Sequence, residues 1–332
     1  MSDPTGASPG ASAGTRARKG RARWSSWRGA LGLVAGMCVL LWALIPAVRG
    51  VLLIASPPGR PAPDARGAGI PVADVRFAAA DGVALAGWFA LASPRAPTII
   101  LVHGFKGSRT EMLPWARFLF AAGYNVLLYD SRGCGQSQGW AIALGAREAD
   151  DVIGAVRYLQ GRTDLVVKRF GALGVSLGAG TVLLAAAREP ELAAVVADSA
   201  WADEQPQLAR MSSVSLGPVA VPLLPYEPAL VDTLIGARLE TTSPLAVIGR
   251  IAPRAVLLIA ADDDRNALTP LSGERALFAA AGQPKAEWIA PSGGHAGALA
   301  AHPADYQRQV LAFFAAYLAP VGIPASVASS MV

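Results

Sequence analysis

The residues that could do chemistry begin with a serine set between glycines, Gly174-Val175-Ser176-Leu177-Gly178. An apolar run ahead of it, Phe170–Val175, reads as a strand, and Leu177–Arg188 behind it reads as a helix. A serine on such a sharp strand-to-helix turn holds its hydroxyl clear of the sheet, and the glycines let the turn pack tightly. The helix N-terminus offers N–H groups and the positive end of a dipole to a developing oxyanion. The bland alternative is a glycine-rich packing turn; the strand-to-helix context is what favours a nucleophile. A serine hydroxyl needs a base to take its proton and an acid to hold that base. The chain supplies both in the order Ser, Asp, His. The base candidate is His295, in Ser292-Gly293-Gly294-His295-Ala296-Gly297, on a loop after the last short strand, the bland alternative being an ordinary loop histidine. His302 stands next to Pro303 and reads as a helix-start residue, and His103 ends a strand ahead of the serine.

The acid lies in Asp262-Asp263-Asp264, after the strand Ala255–Ala260. Adjacent aspartates cannot all face one imidazole, and like charges this close resist joint ionisation unless solvated or paired. The others would cap the turn or pair with Arg265. A calcium loop alternates acids with spacers and ends in a downstream Glu, which this run does not. Asp198, at the end of the preceding strand, is a weaker acid candidate. Two N–H donors are needed for an oxyanion. Leu177, after the serine, is one, and Phe105 in His103-Gly104-Phe105-Lys106-Gly107 is the other, unless that loop is a plain glycine turn. Asp130–Gly139 contains Gly133-Cys134-Gly135, but no helix follows at once and no strand-end acid stands about twenty residues on, so a dinucleotide fingerprint is disfavoured. Cys134 has no base near it in sequence and reads as unreactive.

Those residues must be positioned by a chain of 332 residues, 53 % apolar and 16 % charged. That composition excludes a disordered protein and is ample for a proper core. Two cysteines, Cys38 and Cys134, exclude a disulfide framework and a cysteine zinc site, and three histidines leave little room for a histidine metal centre. The net charge of +5 is a matter of location. Residues 1–28 carry Arg16, Arg18, Lys19, Arg21, Arg23 and Arg28 against Asp3 alone, and the rest of the chain is balanced. The body therefore offers no basic footprint for nucleic acid.

The basic cluster precedes Gly29–Val48, a run without charge that would span roughly 30 Å as a helix, the thickness of a bilayer core. Val51–Ala55 continues the apolar stretch after Arg49. Basic residues just before a span place the N-terminus in the cytoplasm and export the remainder, onto the periplasmic or extracellular face in a bacterium. A cleaved signal peptide would have a shorter apolar core and a small-residue cleavage site, and a buried core helix would seldom follow such a basic cluster. The organisation expected is a disordered basic tail over 1–28, a transmembrane anchor over 29–55, a Pro-rich tether over 56–71, a catalytic domain over 72–319 and a flexible tail over 320–332. Cys38 falls within the span as lipid-facing filler.

From Val72 the chain alternates strand and helix. Val72–Phe77 and Val83–Leu91 form a hairpin around Asp81-Gly82. Thr98–Val102, Asn125–Tyr129, Phe170–Val175, Ala193–Ala197, Ala255–Ala260 and Ala286–Ile289 read as further strands, several of them short apolar runs suited to burial. Glu111–Ala122, Ala146–Leu159, Leu177–Arg188, Leu271–Ala281 and Pro303–Leu318 read as helices. Such an order builds a mainly parallel sheet with helices on both faces. Residues 201–243, with Pro206, Pro218, Pro222, Pro225 and Pro228, break the rhythm and read as a lid or binding loop, the alternative being a passive excursion.

Taken together, these segments resemble the α/β-hydrolase superfamily over Val72–Leu318. The resemblance rests on His103-Gly104, on Asp130-x-Arg132-Gly133-x-Gly135-x-Ser137, on the turn at Ser176, on Asp262–Asp264 and on His295. The ending His295 to His302-Pro303-x-x-Tyr306 and on to Phe313-Phe314 is similar to that of the serine aminopeptidase-like and acyl-esterase-like branch, whose members often carry an N-terminal span. The resemblance implies an eight-stranded, mostly parallel sheet flanked by helices. It also implies that the acid stands three residues after a turn position usually held by glycine. Here Ala261 holds that position, which points to Asp264 and keeps Asp263 beside it as the alternative. The implied mechanism is a two-step acyl transfer without cofactor or metal: Ser176 attacks an ester, thioester or amide, His295 moves the proton, Asp264 orients His295, and Phe105 and Leu177 bind the oxyanion. The apolar, Pro-rich Leu216–Leu230 suggests a small-molecule or lipid-like acyl substrate. A peptidase, or a binding module that has lost catalysis, are the alternatives; a dehalogenase would need aspartate at position 176.

Overall fold

Five short, mainly apolar runs set the frame, because a strand buried on both faces favours apolar side chains along its length. In the computed structural model, which describes residues 15–56, 64–203, 213–222 and 226–318, they are β3 (Thr98–Val102), β4 (Asn125–Tyr129), β5 (Phe170–Val175), β6 (Leu192–Asp198) and β9 (Ala255–Ala261), each buried almost throughout. With β1 (Ala73–Ala78), β2 (Ala84–Ala90) and β10 (Lys285–Ala290) they form an eight-stranded sheet in the order β1-β2-β4-β3-β5-β6-β9-β10. β1 and β2 pair antiparallel, as do β2 and β4; all other pairs are parallel. The strand order reverses beside β3, and the crevice outside the carboxyl ends of β3 and β5 is where such sheets hold ligands.

Helices cover both faces. On one, α3 (Glu148–Gly161) and α4 (Leu177–Ala186) bury Val152, Val156, Val182 and Leu183 against Ile100, Leu127 and Val195. On the other, α2 (Leu113–Ala121) and the C-terminal helix Pro303–Leu318 bury Trp115, Leu119, Tyr306 and Phe314 against Ile99, Leu128 and Val196. α2 starts later than the apolar spacing suggests. A 3₁₀ turn, Arg109–Met112, precedes it, and Pro114 stands in its first turn, where a missing N–H costs nothing.

The Pro-rich region between β6 and β9 is more ordered than a simple loop. It contains a two-stranded hairpin, β7 (Ser213–Leu216) with β8 (Val219–Pro222), and the helix α5 (Glu227–Ile235). Parts of the expected lid and tether, 204–212, 223–225 and 57–63, and the expected flexible tail beyond residue 318, lie outside the described residues.

The first helix departs from expectation. α1 runs from Thr15 to Ile54, so residues 15–28, expected as part of a disordered tail, are helical. Arg, Lys and Ala are good helix formers, and extending an existing helix costs far less than nucleating one. Among the described residues, Trp27–Ile54 is a helix long and apolar enough to cross a membrane, with a mean hydropathy of 2.4. Only 6 % of its most apolar window is buried, so it is not a core helix. Its last turns nevertheless join the domain: Ile54 is fully buried with Val231, Ile235, Leu239 and Leu144.

Candidate active site

Ser176 sits between β5 and α4 with φ 57° and ψ −118°. A non-glycine residue held at positive φ costs of order 1–3 kcal/mol and persists only where its surroundings impose it. The two glycines show how. A Cβ on Gly174 would strike the carbonyl of Gly178, and one on Gly178 would strike the carbonyls of Val102 and His103. The turn is thus pressed against the end of β3, and a Cβ on Gly104 would stand in van der Waals contact with the serine.

His295 arrives on the loop after β10. Its Nε2 lies 2.8 Å from Ser176 Oγ, and its Nδ1 lies 3.0 Å from Asp264 Oδ2. The Asp264 side chain is almost wholly buried, whereas His295 keeps some contact with solvent. With Nδ1–H donating to the carboxylate, Nε2 is left to accept from the serine hydroxyl. The structure separates the two aspartates. Asp263 Oδ1 instead accepts the Gly294 N–H at 2.8 Å, and so pins the loop that carries His295. Asp264 also accepts from the Asn266 N–H at 2.8 Å.

Thr269, which nothing in the sequence marks, completes this cluster. Its Oγ1 lies 3.0 Å from His295 Nδ1 and 3.3 Å from Asp264 Oδ2. Asp198 does not reach His295 by hydrogen bond. It accepts from Ser199 Oγ at 3.0 Å and from Tyr306 Oη at 2.8 Å, and Tyr306 Oη accepts from Trp115 Nε1 at 2.8 Å. Ser199 Oγ in turn accepts the Ala296 N–H at 3.0 Å. Burial raises the Asp198 carboxyl to about 6, although both hydrogen bonds favour its ionised form. Nearby Glu274, also buried, is pushed well above the usual carboxylate range.

The other flagged residues serve as scaffold. His103 Nδ1 donates to Gly104 O at 2.8 Å while Nε2 accepts the Ser131 N–H at 3.0 Å, tying the loop after β3 to the loop after β4. Asp130 is buried against Arg109, accepting from its backbone N–H and its guanidinium, each at 2.7 Å, and Gln136 N–H adds a third bond. Arg132 bridges Asp81 and Asp151. The glycine-rich run 130–139 is therefore a polar knot behind the site, and Cys134 is buried within it. His302 pairs with Ser292 through Nε2 at 3.0 Å.

Ser176, His295, Leu177 and Phe105 all border a cavity of about 600 Å³. Most of its remaining wall is apolar, with Met112, Trp115, Leu144, Trp201 and Leu268, and it includes Leu53 from the end of α1. Glu111 and Asp203 also line it. Trp201 packs so closely on α4 that a Cβ at Gly180 would collide with its indole.

Comparison with known proteins agrees with this fold. The chain is 32 % identical over 221 residues to YqkD of Bacillus subtilis, covering 65 % of this chain and 70 % of that one. It also has the sheet order, the strained serine and the histidine loop described above. The chain belongs to the α/β-hydrolase superfamily. This α/β-hydrolase is also 28 % identical to YfhR of Escherichia coli over 255 residues, 74 % of this chain and 81 % of that one. Residues 52–216 match the family model described as X-Pro dipeptidyl-peptidase (S15 family). Among solved structures, the Pyrococcus furiosus esterase Pf2001 superposes with a TM-score of 0.64 at 22 % identity, covering 80 % of this hydrolase and 98 % of the esterase. GrgF from Penicillium sp. sh18 superposes with a TM-score of 0.62 at 24 % identity, covering 76 % and 100 %. At such identities the likeness establishes the fold.

Proposed function

We propose that the protein is a serine hydrolase that cleaves a carboxylic ester of an apolar acyl group, held at a membrane by α1 with its N-terminus cytoplasmic. The observation that carries this reading is the hydrogen-bonded line from Ser176 Oγ to His295 to Asp264, at 2.8 and 3.0 Å, opening on an apolar cavity. Ser176 Oγ attacks the acyl carbon as its proton passes to His295 Nε2. The carbonyl oxygen, now negative, is received by the N–H groups of Phe105 and Leu177. The C–O bond to the alcohol breaks, and the alcohol leaves with the proton from His295. Water then gives a proton to His295, attacks the acyl-enzyme and releases the acid, returning Ser176 to its resting state. Asp264 keeps His295 in the tautomer that can accept from serine and stabilises the imidazolium.

A peptidase is the second reading. The match to the X-Pro dipeptidyl-peptidase model favours it, and Glu111 and Asp203 on the cavity wall are the groups a free peptide amine would meet. A fluorophosphonate probe tests the chemistry common to both. The wild-type protein should label, and Ser176→Ala and His295→Ala should not. A folded wild type that resists the probe would overturn the hydrolase reading. Turnover of 4-nitrophenyl acyl esters against proline-containing dipeptide amides then separates the substrates.

A further inference from the structure

A helix that merely tethers an enzyme would stop at the bilayer and leave slack chain before the domain. α1 instead runs without a break from the apolar span into the wall of the cavity, where Leu53 lines the space beside Ser176. We infer that the substrate is a long-chain acyl ester that stays in the bilayer and enters the cavity laterally, along the end of α1. This rests on the hydrolase reading above and takes it to a substrate class.

The junction is built rather than incidental. Pro46, Gly50 and Ile54 are buried at four-residue spacing, which is one face of a helix, while Val48, Val51 and Leu52 between them stay exposed. Gly50 allows the close approach to α5: a Cβ there would stand 3.1 Å from Val231 Cγ2 and 3.4 Å from Glu227 Cγ. The end of the helix is then tied to the domain. Lys106 Nζ donates to Leu52 O at 2.9 Å, Ile142 N–H to Ile54 O at 2.8 Å, and Ser56 N–H to Trp140 O at 2.9 Å. Lys106 adjoins Phe105, the proposed oxyanion donor, so the anchor and the catalytic loop are fixed to each other.

Depth follows from helix geometry. The uncharged run ends at Val48, and Leu53 lies five residues on, about 7.5 Å at 1.5 Å per residue. The headgroup layer of one leaflet is roughly 5–8 Å thick. The part of the cavity wall formed by Leu53 therefore sits at headgroup level, where the ester of an acyl lipid joins its apolar chain. Phe105 and Trp140 are both exposed beside this end of α1, and aromatic rings of this kind favour the membrane–water boundary. An ester drawn in from that level passes from hydrocarbon to an apolar wall without crossing water. Hydrolysis consumes one water and releases the fatty acid and the alcohol.

The test uses the full chain reconstituted in phosphatidylcholine vesicles. 4-Nitrophenyl palmitate is supplied either in the same vesicles as the protein or in separate protein-free vesicles, with water-soluble 4-nitrophenyl butyrate as the comparison. Lateral entry predicts palmitate hydrolysis faster by roughly ten-fold or more when ester and protein share a bilayer, because the shared surface raises the effective concentration. Equal rates in the two arrangements would overturn the proposal. Gly50→Leu, which wedges α1 from α5, should lower the ratio of palmitate to butyrate turnover; an unchanged ratio would overturn the route along α1. Labelling by fluorophosphonate with hydrolysis of butyrate alone would reject the substrate class and leave the hydrolase reading standing. Absence of labelling and of all ester turnover would reject both.

Discussion

Two adjacent aspartates at the end of β9 do different work, and only their contacts tell them apart. Asp264 holds the imidazole of His295, whereas Asp263 holds the backbone of the loop at Gly294. Asp264→Asn should therefore lower kcat for ester hydrolysis by about 10²–10⁴-fold with little change in KM, the scale seen when a serine hydrolase loses its orienting acid. Asp263→Asn keeps a side-chain oxygen for the Gly294 N–H and should cost less than about ten-fold. Steady-state kinetics on a soluble ester decides between them, and equal losses would move the orienting role to Asp263. Ser176 and His295 were legible in the sequence because each sits in a local glycine pattern that has a geometric purpose. The choice of aspartate was not legible from the residues alone, since neighbours in sequence differ only in where the turn after Ala261 aims them. Thr269 was silent, because a lone threonine ahead of a proline carries no pattern.

At the scale of elements, the site depends on a brace that crosses the fold. Trp115 in α2, Tyr306 in the C-terminal helix, Asp198 at the end of β6 and Ser199 beyond it form a hydrogen-bonded chain that ends on Ala296, next to His295. Asp198 is fully buried there, and burial raises its carboxyl from the usual 3.8 to about 6, so the folded protein holds the proton more tightly than the unfolded chain. The stability this proton confers is complete below about pH 4 and is lost as pH rises through 6. A shift of that size corresponds to roughly 3 kcal/mol. Asp198→Asn removes the titration. Relative to wild type, the variant should gain stability by an amount approaching that figure between pH 4 and pH 7. Denaturant unfolding at several pH values measures it, and a constant difference would show that Asp198 does not carry the proton. The strands were readable because the middles of buried parallel strands are apolar, with polar residues such as Asn125 and Asp198 kept to their ends. The hairpin of β7 and β8 was not, because its prolines and short alternation carry the same signal as an irregular loop. The early start of α1 was missed because an Arg- and Ser-rich segment looks disordered until the helix beyond it supplies a nucleus.

For the molecule as a whole, the question is where the domain begins. A boundary near Val72 follows from the strand pattern, yet the cluster of Ile54, Val231, Ile235, Leu239 and Leu144 places the last turns of α1 inside the folded unit. A chain beginning at Asp64 loses Ile54 and uncovers the apolar face of α5, whereas a chain beginning at Ala47 keeps Gly50 and Ile54 while shedding most of the apolar helix. Burying one isoleucine contributes about 1.5–3 kcal/mol, and the exposed partners add to the loss. For a domain of this size that is roughly 5–10 °C in melting temperature. The shorter chain should melt lower by that amount and label more slowly with fluorophosphonate, since Leu53 and the Lys106 tether to Leu52 are gone. Thermal unfolding of the two chains in one mild detergent makes the comparison. Equal melting temperatures would mean that the end of α1 only rests on the domain; a clear difference would make the last turns of α1 a structural part of the folded unit.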